Sequence, residues 1–197
     1  MPTLLYGVGD ITGIVRPTIE HKKAYFIWNK MLERCYSKNK EIKTPTYVEC
    51  FVTPSWLKFS NFLLWFNNNY IEGYFLDKDL RKLGNKEYSP KMCSFVSRNV
   101  NNLLINSKRS RGLYPVGVTE DKKNINGVTY VYYKARFSCN NSSKFLGLFA
   151  TIDEAAHAYN IAKSEHIVKF AMDNDLPIEI KDTLKKAAEL VAKGEWL

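Results

Sequence analysis

Residues 132–162 run YYKARFSCNNSSKFLGLFATIDEAAHAYNIA, and this stretch decides the fold of the C-terminal half of the chain. Its first part has the alternating pattern of a β-strand, in which successive side chains point to opposite faces. One face carries apolar side chains, those of Tyr133, Ala135 and Phe137. The other face carries polar and basic side chains, those of Lys134, Arg136 and Ser138. The pattern predicts a strand that is buried on one side only.

The end of the same stretch predicts a helix that covers the apolar face. Thr151 is followed three residues later by Glu154, which is the spacing of a capping box at a helix start. Alanines at 155, 156, 158 and 162 give the helix a side that can pack closely against a sheet. No second helix is expected on the basic face, so we expect that face to be exposed.

Outward from this stretch, two more strands and a last helix complete the C-terminal half. Strands are predicted at residues 114–119, 128–139 and 144–149, with turns at Asn126-Gly127 and Asn140-Asn141-Ser142. A helix is predicted at about residues 180–193, ending at Gly194. The expected class is α+β, with a three-stranded antiparallel sheet packed on an α-helix and followed by a C-terminal helix.

The N-terminal half shows short elements between irregular segments. Apolar residues recur at helical spacing over residues 22–36, and Thr53-Pro54 is a good start for a helix that runs to about residue 68. Short extended segments are predicted at 47–52, 73–76 and 88–96, and Ser97 is a candidate cap for a helix ending near residue 105. The expected divisions are an irregular arm 1–20, a domain 21–106, a basic linker 107–112, a domain 113–170 and a terminal segment 171–197.

The placement of charge predicts a polyanionic partner. The whole chain carries a net charge of +9, and residues 77–144 contain 14 basic and 5 acidic side chains, an excess equal to that of the whole chain. A basic region between nearly neutral ends is typical of nucleic-acid binding. No apolar run is long enough to cross a bilayer, and the four cysteines form no CxxC pair. We therefore expect an intracellular protein without a zinc site, a disulfide framework or a membrane partner.

Residues 113–170 resemble the ethylene-response-factor type of DNA-binding domain. The resemblance is carried by Gly117-Val118, Tyr133-Lys134-Ala135-Arg136-Phe137, Phe145-Leu146-Gly147-Leu148-Phe149, and the Thr151, Glu154-Ala155-Ala156, Ala158-Tyr159 and Ala162 pattern. It implies that the exposed sheet face enters the major groove of double-stranded DNA. The implied DNA-contacting residues are Thr119, Lys123, Lys134, Arg136, Ser138 and Phe145. Thr119 and Ser138 replace arginines that are usual in the plant domains.

Residues 22–106 resemble the HNH-type endonuclease half of phage and homing proteins, which implies the cytoplasm of a bacterial host. The matching residues are Trp28, Met31, Arg34-Cys35-Tyr36, Trp56, Phe59, Phe62, Leu76-Asp77-Lys78-Asp79, Gly84-Asn85-Lys86, Tyr88-Ser89-Pro90, Cys93, Phe95-Val96 and Asn101. The resemblance implies a ββα site in which a carboxylate, here Asp77, holds a divalent metal. Lys78 stands where the general-base histidine belongs, and Met92 stands where the second metal ligand belongs.

These departures leave three hypotheses. The first is a DNA-binding protein on an HNH-like frame with lost catalysis and no cofactor, in which Lys78, Arg81, Lys82 and Lys86, with Lys108, Arg109 and Arg111 of the linker, contact phosphates. The second is an active DNA endonuclease in which Asp77 and Asp79 hold Mg²⁺ or Mn²⁺ and Lys78 assists catalysis. The third is an interaction protein that inhibits a nucleic-acid enzyme through its charged surface.

Overall fold

The computed structural model describes residues 4–12, 21–104, 113–139 and 142–195, and it has the expected α+β class. The chain divides into two compact units, Met1–Asn102 and Leu103–Leu197. The predicted boundary at residues 107–112 lies outside the described residues.

The first unit is mainly helical, with short strand pairs. Its helices are α1 (Lys22–Tyr36), α2 (Lys40–Lys43), α3 (Pro54–Leu57), α4 (Phe59–Asn69) and α5 (Arg98–Leu103), with a 3₁₀ turn at Pro45–Tyr47. Its strands are β1 (Phe51–Val52), β2 (Phe75–Asp77), β3 (Glu87–Tyr88) and β4 (Ser94–Val96). β1 pairs with β3 in parallel, and β2 pairs with β4 antiparallel. The predicted strand 47–52 is shortened because its beginning forms the 3₁₀ turn, and the extended segment 88–96 is interrupted by a turn.

Aromatic residues form the core of the first unit. The helical spacing of α1 was predicted correctly and buries Trp28 against Phe59 of α4, with ring centroids 5.2 Å apart. The indole nitrogen of Trp28 donates a 2.6 Å hydrogen bond to the carbonyl oxygen of Trp56. A buried indole therefore has its one donor satisfied while the two helical segments are held together.

The predicted single helix from Pro54 to residue 68 is wrong, because Lys58 is extended and separates α3 from α4. Asp10 of the N-terminal segment pairs with Lys58: its amide donates to the carbonyl of Leu57, and its carbonyl accepts from the amide of Phe59. Local propensity favours helix here, but the pairing satisfies the backbone groups that the break exposes. Residues 4–12 of the predicted arm are thus packed onto the first unit.

The second unit is a three-stranded antiparallel sheet with two helices. The strands β5 (Val118–Ile125), β6 (Val128–Cys139) and β7 (Ser142–Phe149) lie in sequence order, followed by α6 (Ile152–Asp173) and α7 (Ile178–Ala192). The first strand starts later than predicted, because the chain turns at 115–117, and it continues through a polar run that pairs with β6. Backbone pairing does not require apolar side chains, so composition concealed this extension.

The turn and cap predictions of the second unit are largely confirmed. Asn126 and Gly127 both have positive φ, +52° and +82°, as a two-residue hairpin turn requires. Thr151 and Glu154 form the capping box of α6. The end of α7 at Gly194 is confirmed by its φ of +75° and by the hydrogen bond that its backbone amide donates to the carbonyl oxygen of Val191. Asn140 and Asn141 of the second predicted turn lie outside the described residues.

Close packing between α6 and the sheet covers one sheet face. Ala135 of β6 and Ala155 of α6 are fully buried, with Val118 beside them. Gly117 has φ +78°, and a Cβ on it would lie 2.1 Å from a ring carbon of Tyr159 on α6. The contact therefore depends on the absence of a side chain at residue 117. α7 packs along α6 and buries its own apolar side, including Leu184, so the last helix docks within its own chain.

We predict that Gly117→Ala destabilises the protein by about 2–4 kcal/mol, because the positive φ and the clash with Tyr159 both oppose a methyl group. Gly127→Ala is the matched control, since Gly127 has a similar φ but nothing within 4 Å of its Cβ position. It should cost only about 1 kcal/mol. Urea unfolding of both variants measures the difference, and equal losses would mean that Tyr159 does not pack closely against residue 117.

Candidate nucleic-acid interface

The register of the sheet brings all six predicted DNA-contacting residues of the second unit to one face. Lys134 and Arg136 alternate along β6 with residues that contact α6. Residues directly opposite in an antiparallel pair share a face. Thr119 lies opposite Lys134, and Phe145 lies opposite Arg136. The two remaining predicted residues are Lys123, which lies opposite Tyr130, and Ser138, which lies opposite Ser143. We call this surface the open face.

The opposite face is covered by α6. Phe137 of β6 lies 5.8 Å from Tyr159 and 5.4 Å from His166, measured between ring centroids, and both partners belong to α6. Ala135 is fully buried. The sequence alternation thus predicted correctly which β6 side chains face the helix and which do not.

Charge on the open face is mixed. Lys134 forms a 3.3 Å ion pair with Asp121 of β5, and both side chains are about one-third exposed. The ammonium group of Lys123 lies 5.8 Å from the ring centroid of Tyr132. Arg136 is exposed and forms no salt bridge within the described part of the chain. Arg136 is therefore the cation on this face that is most available to an external anion or acceptor.

An exposed aromatic ring and a β-bulge lie beside Arg136. Phe145 is 52% exposed directly opposite Arg136, although phenylalanine is usually buried. A β-bulge between Ala135 and Arg136 places an additional β7 residue, Leu146, at this point. Bulges increase local twist and redirect side chains, so Arg136 and Phe145 lie where the sheet bends.

In the first unit, Asp77 closes a turn at the end of β2. One of its carboxylate oxygens accepts hydrogen bonds from the amides of Asp79 and Leu80, at 2.7 and 2.9 Å. Burial raises the pKa of Asp77 above its ordinary value, and the two hydrogen bonds from backbone amides only partly offset this effect. The side chain therefore has a structural partner within its own loop.

The placement of Lys78 corrects its predicted role as a phosphate contact. Lys78 is 6% exposed, and its ammonium group donates to both carboxylate oxygens of Asp79 and to the carbonyl oxygen of Asn85. Burial acts to lower the pKa of Lys78, but the hydrogen bond and the charge of Asp79 outweigh it and raise the pKa. Lys78 therefore remains protonated, which is the opposite of what a general base needs.

The Asp77–Asp79 turn does not fit a Mg²⁺ or Mn²⁺ ion. Such ions take several oxygen ligands in near-octahedral geometry. Asp79 is bound on both oxygens by a buried ammonium group, and that positive charge would oppose a second cation beside it. Within the described ranges, no three His, Cys, Asp or Glu side chains are grouped as metal ligands would be.

The other predicted phosphate contacts have different surroundings. Arg81 and Lys82 are exposed, and the Nε of Arg81 donates to the hydroxyl oxygen of Ser94 at 2.7 Å. Lys86 is exposed and lies 3.3 Å from Glu49. The linker residues Lys108, Arg109 and Arg111 lie outside the described residues.

Sequence reasoning missed the partners that complete the open face. The register adds Asp121, Tyr130, Tyr132, Ser143 and Leu148 to it. The alternation of β6 pointed to Tyr130 and Tyr132. Asp121 could not be placed before the first strand was known to extend through it. Its carboxylate reduces the positive charge that composition suggested for this surface.

Comparison with protein-family models, curated proteins and solved structures found no match for this chain. In the part of the chain that the structure describes, no helix is both long and apolar enough to cross a membrane.

We predict that Asp77→Asn and Asp77→Ala have different effects on stability. Asparagine keeps the oxygen acceptor for the two amides, whereas alanine loses it and should cost about 1–2 kcal/mol. The folded-state pKa of Asp77 is raised above 3.8, so its protonated form stabilises the fold below that pH, and this contribution is lost as pH rises through the folded-state pKa. The wild type should therefore lose stability relative to Asp77→Asn as the pH increases from about 4 to 7.

Urea midpoints of the three proteins across this pH range measure the effect. If Asp77→Asn at pH 7 were as unstable as Asp77→Ala, the negative charge of Asp77 would itself be stabilising, as expected for a cation ligand.

Proposed function

We propose that this chain is a double-stranded-DNA-binding protein that places the open face of the second unit in the major groove. The observation that carries the proposal is a sheet with one face covered by α6 and the other presenting exposed Arg136, Lys123 and Phe145. A sheet face that only contacts water does not require a half-exposed phenylalanine beside an arginine that has no salt bridge in the described residues. A ligand with both acceptor atoms and flat or apolar surfaces fits this combination.

The size of the sheet is compatible with the groove. Neighbouring strands lie about 4.8 Å apart, so the outer strands of a three-stranded sheet are separated by about 10 Å. The major groove of B-DNA is about 12 Å wide and presents the acceptor atoms of guanine and the methyl group of thymine. Arg136 has the donor geometry for a guanine edge, and Phe145 has the apolar surface for a thymine methyl group.

The mixed charge favours contact with bases as well as with phosphates. A face made only of cations would bind the DNA backbone without regard to sequence. Asp121 opposes phosphate but can accept a hydrogen bond from the amino group of cytosine. The Asp121–Lys134 ion pair also holds both side chains in place before binding.

The first unit supports a related role in backbone binding. β2 pairs with β4 and α5 follows β4 directly, and this arrangement supports the proposal of an HNH-like frame. Exposed Arg81 and Lys82 in the β2–β4 connection are suited to phosphate contacts. We infer that this frame contributes binding rather than phosphodiester hydrolysis, because the ammonium group of Lys78 binds both carboxylate oxygens of Asp79 and stays protonated.

Duplex binding is expected to weaken steeply with salt, and Arg136→Ala is expected to weaken binding to a selected preferred sequence by about 1–3 kcal/mol. If about six phosphates are neutralised, the slope of log affinity against log salt should be about −5. Fluorescence anisotropy with a labelled 20-base-pair duplex measures both quantities, with a random-sequence duplex in parallel.

Lys144→Ala is the control for this experiment. Lys144 is an exposed cation of the same sheet, but it lies opposite Phe137 and therefore on the covered side. It should leave the preference between the two duplexes unchanged. A salt slope shallower than about −2, or equal effects of the two substitutions, would contradict binding through the open face.

Purified protein with Mg²⁺ or Mn²⁺ is expected to leave supercoiled plasmid intact, because loss of a positioned general base alone costs about 10²–10⁴-fold in rate. Gel electrophoresis of the plasmid over several hours measures this. Nicking that EDTA stops and that Asp77→Ala abolishes would instead establish an endonuclease.

A further inference from the structure

A cleft of about 490 Å³ lies within the first unit, beside the Asp77 turn. Its walls come from α1, from the segment leading into β2 and from the turn itself. Its lining includes Phe26, Lys30, Arg34, Tyr74, Phe75 and Asp79. The cleft is distinct from the open face, since all of its lining residues belong to the first unit.

One side of the cleft is a stripe along α1. Phe26, Lys30 and Arg34 are spaced by four residues, so they follow one another along the same side of the helix. Phe26 is 59% exposed, and the ammonium group of Lys30 lies 6.0 Å from its ring centroid. A solvent-facing position of a helix does not require an aromatic side chain. The packing of α1 therefore does not explain the exposure of Phe26.

Arg34 differs from the other cations that line the cleft. Lys23, Lys30 and Lys78 form ion pairs with Glu72, Glu33 and Asp79, at 3.0, 2.6 and 2.8 Å. Arg34 is partly buried and lies 5.4 Å from the ring centroid of Tyr47. Within the described residues it has no carboxylate partner. A partly buried guanidinium without a counter-ion favours binding of an anion.

The carboxylates of the cleft do not supply that anion. Asp79 is already bound by the ammonium group of Lys78, and Asp77 accepts two amide hydrogen bonds in its own turn. Three of the four basic side chains that line the cleft have carboxylate partners, so Arg34 is the lining cation that an external anion can neutralise.

Aromatic rings at the cleft provide a second kind of contact. Phe26, Tyr74 and Phe75 are 59%, 37% and 41% exposed, and all three line the cleft. Nucleobases stack on exposed aromatic rings without strong preference for sequence. An unpaired guanidinium together with exposed rings matches a ligand that has both a phosphate and a base.

We propose that this cleft binds a single nucleotide unit, with its phosphate on Arg34 and its base against Phe26. This inference does not rest on duplex binding by the sheet, because it uses only residues of the first unit. The phosphate can belong to a free nucleotide or to a phosphodiester in a single strand. The two sources share the chemistry of the contact and are separated by experiment.

The test is calorimetric titration of the full chain with thymidine, thymidine 5′-monophosphate and the dinucleotide TpT. A hydrogen-bonded charge contact should make the better of the two phosphorylated ligands bind about tenfold tighter than thymidine. Tighter binding of the monophosphate identifies a free nucleotide as the ligand, and equal or tighter binding of TpT identifies a strand. Equal binding of thymidine and both phosphorylated ligands, or no binding at millimolar concentration, overturns the proposal.

Three variants assign the contacts. Arg34→Gln should abolish the advantage of the phosphorylated ligand, so that it and thymidine bind with about equal affinity. Phe26→Ala should weaken all three ligands by about five- to tenfold while keeping that advantage. Lys38→Gln removes an exposed cation of the same unit that lies outside the cleft, and it should change neither this advantage nor the affinity for thymidine. If Arg34→Gln does not fold, the wild-type advantage and the Phe26→Ala result decide, because Phe26 is exposed. An unchanged advantage in folded Arg34→Gln also overturns the assignment.

Discussion

The contact between α6 and the sheet is the constraint on which the second unit depends. Ala135 and Ala155 are both fully buried at this contact, and Gly117 lies against the ring of Tyr159. Small residues allow the helix to approach the sheet closely, and the helix then covers the part of one sheet face around Ala135. Because the two faces of a strand alternate residue by residue, covering one face also fixes which side chains remain outside. The open face is therefore a consequence of the packing on the other side.

Buried charge has a comparable role in the first unit. Lys78 follows β2 directly, and its ammonium group binds Asp79 and the carbonyl of Asn85. The side-chain amide of Asn85 donates in return to the carbonyl of Lys78 and to that of Glu87. An ion pair with a buried ammonium group is costly to break by removing the carboxylate alone, because the ammonium group stays desolvated. The loop that resembles a catalytic loop is thus held by a cation in its interior.

The two surfaces proposed to bind nucleic acid differ in their chemistry. The open face combines an unpaired arginine with an ion pair and an exposed phenylalanine on a regular sheet, which suits the repeating surface of a duplex groove. The cleft beside α1 is concave and has a partly buried arginine, which suits one nucleotide. Each surface combines exposed aromatic rings with an arginine that has no carboxylate partner in the described part of the chain.

The sequence alone determined the elements whose signals are local. The alternation of β6, the Asn126-Gly127 turn, the capping box at Thr151 and the spacing of α1 each depend on residues close together in the chain. The break at Lys58, the extension of the first strand through Asp121, and the burial of Lys78 were decided by tertiary structure. At Lys58 and Asp121 the backbone of another segment pairs with the chain, and at Lys78 the ammonium group is bound by Asp79 and by the carbonyl of Asn85. The Arg34 cleft belongs to the same category, because its walls bring α1 together with residues 73–79, about forty residues further along the chain.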